Sequence, residues 1–140
     1  MVIMKKIVGT VLSVLLLTAV AYAQQPDQKI NKKNLVVKEW NTDVKTNRKV
    51  LDHVVTYNPD GKKVEEIEYG MSGQKWRKRF EYGENGKCSK ELVYNERNQL
   101  VHYKTFVYNE YGRKKVQYTY DPKGRLLSTK HFEYTRSDAK

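Results

Sequence analysis

Apolar and polar residues alternate along most of the chain after residue 34, and short polar turns interrupt the alternation at regular intervals. A tyrosine closes each alternating segment, and a glycine, or once an asparagine, usually follows four residues later. Alternation with a period of two is typical of a β-strand with one half-buried face. The pattern predicts eight strands, at residues 35–40, 49–57, 62–69, 74–82, 87–94, 99–108, 113–120 and 125–134.

The turns between these segments share one chemistry, which is clearest in Asn58-Pro59-Asp60-Gly61. Asn suits the first position of a type I turn, Pro fixes φ at the second, and Gly accepts the left-handed conformation that follows. Asn98 replaces Gly at one turn, and Asn is the next residue to tolerate that conformation. Such turns connect hairpins, so we predict an all-β fold, an antiparallel up-and-down meander.

The pattern Lys-x-Phe-x-Tyr occurs at 78–82, 104–108 and 130–134, so the meander is built from 26-residue hairpin repeats. The Tyr of each strand and the apolar residue two before it, such as Val55 or Ile67, are expected to form one continuous face. The spacing of 13 between Tyr69 and Tyr82 is the only odd one, which predicts a bulge or a different turn near residues 70–76.

The lysines within the aromatic pattern indicate whether the sheet stays open or closes into a barrel. A small closed barrel would bury them without partners, at a high cost in desolvation. We therefore expect an open curved sheet, with a closed small barrel as the alternative. The lysines concerned are Lys78, Lys90, Lys104 and Lys130.

The first residues have the layout of a secretory signal peptide, with Lys5 and Lys6, an apolar run at 7–20 and Ala21-Tyr22-Ala23 before the cleavage point. The apolar run is too short to span a bilayer comfortably, so we expect no membrane anchor after cleavage. The predicted organisation is a signal peptide at 1–23, a flexible leader at 24–34, an antiparallel β-repeat domain at 35–134 and a tail at 135–140. The protein is expected to be exported, either to the periplasm or out of the cell.

The segment Tyr120-Asp121-Pro122-Lys123-Gly124-Arg125-Leu126 resembles the Y-D-x-x-G-R-L core of the tyrosine–aspartate (YD, Rhs-type) repeat, and residues 57–62 and 108–113 are weaker copies. The resemblance covers roughly residues 57–126 and implies strand–turn–strand arrays, although YD repeats are shorter than 26 residues; it implies no activity. The whole chain also resembles small secreted proteins of gut Bacteroidetes that are grouped as a domain of unknown function. That resemblance implies export and a β-rich fold.

Residues for chemistry are sparse. The three histidines lie on different predicted strands, and no His-x-His or Cys-x-x-Cys spacing occurs, so we expect no metal site. Cys88 is the only cysteine and is expected to be a small half-buried residue. No nucleophile motif or phosphate-binding glycine loop is present, so we expect neither an enzyme nor a cofactor.

The formal net charge of +11 and the aromatic strands leave two hypotheses. The first is a non-enzymatic binding module whose ligand is an acidic glycan or a cell-envelope polymer; export disfavours nucleic acid. The second is a structural or assembly protein, such as a homodimer, that self-associates through its apolar face or a sheet edge. The predicted binding face consists of Lys78, Phe80, Tyr82, Lys90, Lys104, Phe106, Tyr108, Lys130, Phe132 and Tyr134.

Overall fold

The computed structural model describes residues 29–137, which form one antiparallel sheet of eight strands in chain order. The strands are β1 (Val36–Thr42), β2 (Lys49–Tyr57), β3 (Lys63–Gly70), β4 (Gly73–Tyr82), β5 (Cys88–Tyr94), β6 (Leu100–Tyr108), β7 (Lys114–Tyr120) and β8 (Leu126–His131). The predicted all-β meander is confirmed. Within the described residues β1 pairs only with β2 and β8 only with β7, so the sheet is open and does not form the alternative barrel.

The predicted signal peptide lies outside the described residues, as do residues 24–28 of the predicted leader. The rest of that leader lies against the turn between β2 and β3. There the amide of Asn34 donates a hydrogen bond to the carbonyl of Asn58, at 3.0 Å. The predicted tail is described only as far as residue 137.

The sheet is a single layer with almost no interior. Val55 and Val116 are the most buried apolar residues of the described chain, each 8% exposed, and no side chain there is fully buried. Cationic side chains cover the aromatic rings instead, with ten Lys or Arg groups 3.9–5.7 Å from a ring centroid in residues 29–137. Long aliphatic stems with charged ends can shield apolar surface in this way.

A β-bulge occurs in every hairpin from β2 to β8, immediately before the tyrosine that closes the first strand. The bulge predicted only near residues 70–76 is therefore general. The different turn predicted there is confirmed: Gly70 pairs with Gly73, so only two residues connect β3 to β4. Each other hairpin from β2 to β8 has five residues between the closing tyrosine and its partner.

The bulges also decide which face each tyrosine occupies. Directly opposed residues share a face, and Val55 opposes Glu66, whereas Ile67 opposes Val54. Val55 and Ile67 therefore lie on opposite faces, and the predicted continuous apolar face is wrong. The extra residue of each bulge shifts the alternation by one position, so every hairpin moves the next tyrosine to the other face.

We name the two faces by their tyrosines. The Tyr82 face carries the closing tyrosines of the even-numbered strands and the one just beyond β8: Tyr57, Tyr82, Tyr108 and Tyr134. The Tyr94 face carries those of the odd-numbered strands: Tyr69, Tyr94 and Tyr120.

The turns gather at two ends of the sheet. The Gly86 end comprises the turns at residues 58–62, 83–87 and 109–113, and the Gly124 end comprises those at 43–48, 70–73, 95–99 and 121–125. Turns at both ends use the predicted chemistry, in which a side-chain oxygen of the first residue accepts hydrogen bonds from amides two and four residues later.

Candidate functional site

A basic residue follows the glycine of every turn at the Gly86 end, and its side chain runs towards the next turn. Lys62 is an example: its Nζ lies only 2.9 Å from the position that a Cβ on Gly86 would occupy. Gly86 has φ of +72°, so its backbone conformation favours glycine, and the absence of a side chain there leaves room for the Lys62 ammonium group. The Nζ of Lys87 approaches Gly112 in the same way, at 3.1 Å. At Gly61 the nearest atom is the Cβ of Lys32, at 3.5 Å, which is an ordinary van der Waals contact.

A tyrosine of the Tyr82 face lies beneath most of these cations. The Lys62 ammonium is 5.3 Å from the centroid of the Tyr82 ring. The Tyr82 hydroxyl donates a hydrogen bond to the carbonyl of Lys63 on the preceding strand, at 2.7 Å. This bond fixes the ring across two strands. The same cation–ring contact occurs between Lys32 and Tyr57 and between Arg113 and Tyr134. The same kind of hydrogen bond runs from the Tyr108 hydroxyl to the carbonyl of Cys88 and from the Tyr134 hydroxyl to the carbonyl of Lys114.

We call Lys32, Lys62, Lys87 and Arg113 the cation row. Within residues 29–137, no carboxylate lies within 4.0 Å of any member of the row. Successive members lie two strands apart, which corresponds to about 9.6 Å along the end of the sheet. Each therefore keeps hydrogen-bond donors and a positive charge for an external acceptor.

Two cavities lie along the cation row at positions related by the 26-residue repeat. One has a volume of about 420 Å³ and includes Lys87, Phe106 and Tyr108 in its lining. The other has a volume of about 570 Å³ and is lined by Asn109, Tyr111, Arg113, Tyr134 and Arg136. Both volumes fall in the range of small-molecule sites. Each cavity thus combines a cation of the row with an aromatic ring.

Nine of the ten residues predicted to form the binding face do share the Tyr82 face. Lys90 does not: it opposes Glu81 and Thr105, and its ammonium lies 4.7 Å from the Tyr103 ring centroid on the Tyr94 face. The placement of Lys90 on the predicted face is therefore wrong. The bulge before Tyr82 shifts the alternation and turns Lys90 away.

The other predicted lysines already have partners within the sheet. Lys104 forms an ion pair with Glu91 at 3.0 Å, and both side chains are half-buried. The Lys78 ammonium lies 4.4 Å from the Trp76 ring centroid. The sequence prediction missed the cation row altogether. The signal that could have found it is the basic residue that follows the turn glycine in successive repeats.

Charges on the Tyr82 face are paired more closely near β1–β3. His53 lies between two carboxylates, with Nδ1 3.2 Å from Glu39 and Nε2 3.1 Å from Glu66. Burial opposes its protonation, but the two carboxylates outweigh burial and raise the pKa of His53. Burial also opposes ionisation of Glu66, yet Lys63, at 2.9 Å, and His53 hold its pKa below the usual value.

Cys88 is half-buried, as predicted, and its Sγ lies 3.4 Å from the carbonyl of Lys90. Burial raises the pKa of the thiol, which keeps it protonated and weakly nucleophilic. Among residues 29–137, no group of three His, Cys, Asp or Glu side chains is placed to hold a metal ion. No helix in that range has the length and apolar character needed to cross a membrane.

No protein-family model matches the chain, and a search of curated proteins found no similar sequence. The site must therefore be interpreted from its own chemistry. It is a row of cations that have no carboxylate partner within residues 29–137, set over hydrogen-bonded tyrosines at one end of an open sheet.

Proposed function

We propose that this protein is an exported, non-enzymatic module that binds an anionic polymer along the Gly86 end of its Tyr82 face. The observation that carries the proposal is the cation row. The repeat holds Lys62, Lys87 and Arg113 in a line, and none of them has a carboxylate within 4.0 Å in residues 29–137. Lys87 and Arg113 are exposed, so a ligand can reach both charges. A polymer with regularly spaced negative groups is complementary to such a line.

The overall charge supports the same conclusion. The net charge of +11 attracts polyanions over long distances, and the cation row supplies the local contacts. The lysines of the originally predicted face contribute less, because Lys104 is neutralised by Glu91. We therefore place the main binding surface at the end of the sheet, beside the predicted face and sharing Tyr82, Tyr108 and Tyr134 with it.

The test is salt-dependent retention on immobilised heparin, used as a general polyanion probe. A variant with Lys32, Lys62, Lys87 and Arg113 all changed to Gln should elute at a much lower salt concentration than the wild type. Removing four contacts should lower the slope of log affinity against log salt by roughly 3–4. Glutamine keeps part of the aliphatic stem and a polar, uncharged end group, so circular dichroism should show an unchanged sheet.

The matched control removes the same charge from the other face. Lys38, Lys90 and Arg79 lie on the Tyr94 face, and Lys49 covers Trp40 there. Changing these four to Gln should reduce retention only slightly. Equal losses for the two folded variants would show that net charge alone governs retention, and the proposed site would then be wrong.

A second candidate function, self-association, is favoured by the two open edges of the sheet. Every residue of β1 and β8 is exposed, including Trp40 at 48% and Leu126 at 54%. Unpaired edges can accept strands from another chain. Association through the faces is less favoured, since Lys114 lies 3.9 Å from the Phe106 ring centroid and covers it.

Light scattering over a wide concentration range tests this candidate. A dimer with slow amide hydrogen exchange in β1 and β8 would support edge pairing. A monomer at all concentrations would overturn it.

A further inference from the structure

The spacing and composition of the two cavities at the Gly86 end narrow the class of polymer. We propose that they are successive subsites for a linear acidic polysaccharide that carries one acidic group per disaccharide. This inference rests on the proposed function and specifies its ligand. The polymer would run across the strands, along the cation row.

The two cavities share a cation and a tyrosine at equivalent positions, although Glu84 and Ser89 line only the first cavity and Tyr111 only the second. Residues 83, 85, 87 and 108 of the first cavity correspond, 26 positions later, to 109, 111, 113 and 134 of the second. Lys87 and Arg113 thus occupy equivalent places, as do Tyr108 and Tyr134. A ligand that fills both cavities therefore meets a cation and a tyrosine twice, at the spacing of the repeat.

That spacing favours a disaccharide period. Equivalent positions lie two strands apart, about 9.6 Å, and an extended acidic polysaccharide advances by nearly the same length per disaccharide. Sheet twist rotates each subsite by roughly 40–50° from the last. A polysaccharide that winds helically about its own axis can follow that rotation. The phosphates of each strand of a DNA duplex follow one another more closely, at about 3.4 Å of rise, so most of them would not meet a cation.

The cavity walls favour sugar rings as well as negative charge. Arg113 lies 5.3 Å from the Tyr134 ring centroid, and Tyr134 remains 49% exposed at the edge of its cavity. Tyr111, in the same cavity, is 79% exposed. A cation beside exposed aromatic surface can bind a carboxylate while the ring contacts the apolar face of the sugar. Asn109 and Arg136 complete the lining with polar groups.

The experiment uses hyaluronan oligosaccharides, which carry one carboxylate per disaccharide, and measures their affinity for the full protein as a function of length. Affinity should rise by at least about tenfold from tetrasaccharide to octasaccharide, because linked groups engage successive subsites. It should then reach a plateau, since four disaccharides span the four members of the cation row.

Two other ligands with the same number of negative charges as the hyaluronan octasaccharide test the spacing of the acidic groups and the class of polymer. Tetragalacturonate carries four carboxylates at half the hyaluronan spacing and should bind more weakly than the hyaluronan octasaccharide. Tighter binding of tetragalacturonate would overturn the disaccharide period. Tighter binding of an oligo-dT with four phosphates would overturn the polysaccharide class. In both cases the proposed polyanion function would stand, whereas failure of every ligand, heparin included, would refute that function itself.

Two variants test the aromatic contribution. Tyr111→Ala removes an exposed side chain that the fold does not need, so a several-fold loss of octasaccharide affinity would indicate contact with the sugar. Met71→Ala is the control, because Met71 is fully exposed at the Gly124 end and should leave affinity unchanged. If Tyr111→Ala and Tyr134→Leu both fold and both bind the octasaccharide with unchanged affinity, the subsites as proposed are wrong.

Discussion

The two ends of the sheet are built from similar turns but use their polar side chains differently. At the Gly124 end, Arg125 pairs with Asp121 at 2.6 Å, and Arg77 donates to the side chain of Asn98 at 3.0 Å. At the Gly86 end, the equivalent residue Arg113 lies over a tyrosine and has no carboxylate within 4.0 Å in residues 29–137. For the two arginines the difference is local, because the first residue of the turn is Asp121 at one end and Asn109 at the other. Arg77, in contrast, takes its acceptor from the next hairpin. The role of an end therefore depends on whether its own turn or a neighbouring one supplies an acceptor for each cation.

Arg97 and Lys123 at the Gly124 end also have no carboxylate within 4.0 Å in residues 29–137, so the two ends differ in the row of cations over tyrosines and not in unpaired charge alone. We expect Arg77 and Arg125 to stabilise the sheet at the Gly124 end and the cation row to bind a ligand at the Gly86 end. Contacts made by turn side chains matter more for stability in a single-layer protein, because it has almost no buried interior. Paired substitutions, one at each end, can separate stability from binding.

The largest effect on stability is expected for turn glycines. Gly86→Ala and Gly124→Ala should each lower the free energy of unfolding by about 1–2 kcal/mol, because both glycines have positive φ. Only Gly86→Ala also places a methyl group 2.9 Å from the Lys62 ammonium and displaces it. Urea denaturation measures the first effect and heparin retention the second. Equal retention by the two variants would contradict the assigned difference between the ends.

Tyrosine hydroxyls should give a smaller difference. Tyr108→Phe removes the 2.6 Å hydrogen bond to the Cys88 carbonyl and should destabilise the protein by about 1 kcal/mol. Tyr103, which stacks on Tyr120 near the Gly124 end, has a hydroxyl without a hydrogen-bond partner in the described residues. Tyr103→Phe should therefore change stability by less than about 0.5 kcal/mol. Similar losses in urea denaturation would show that the hydroxyl bond does not hold the Gly86 end together.

The His53 cluster extends the comparison to charges that are paired inside the sheet. Because the folded-state pKa of His53 is raised above 6.5, its contribution to stability is complete below pH 6.5 and is lost as pH rises through the folded-state pKa. The urea midpoint of the wild type should fall over that range, and hydrogen exchange in β1 should accelerate. His53→Gln should remove this pH dependence. The contribution of the cation row to heparin retention should not change over this pH range, because the row contains no histidine.

The fold was largely predictable because its determinants are local. Turns such as Asn58-Pro59-Asp60-Gly61 fix their own conformation, so strand number, order and most bounds follow from the sequence. The face of each strand was not predictable in the same way. The bulge beside each closing tyrosine leaves no mark in the alternation, and one extra residue sends Ile67 to the opposite face from Val55.

The candidate site was harder to predict because it exists only between repeats. A lysine after a turn glycine, such as Lys62, is an ordinary feature of one hairpin. It becomes part of a row only when pairing of β3 with β4 brings Gly86 and Tyr82 beside it. The Lys-x-Phe-x-Tyr pattern was more conspicuous, but its Lys104 is already paired with Glu91.

The smallest expected effect comes from the two equivalent arginines. Arg125→Gln breaks the ion pair with Asp121 and should lower the melting temperature by a few degrees at low salt, and by less at high salt, because screening weakens an exposed pair. Arg113→Gln should leave the melting temperature nearly unchanged at any salt concentration but should weaken heparin retention. The two variants have the same net charge, so charge alone cannot explain a difference. If both variants lost stability and retention to the same extent, the two ends would be functionally equivalent, and the cation row would be one more means of holding a single-layer sheet together.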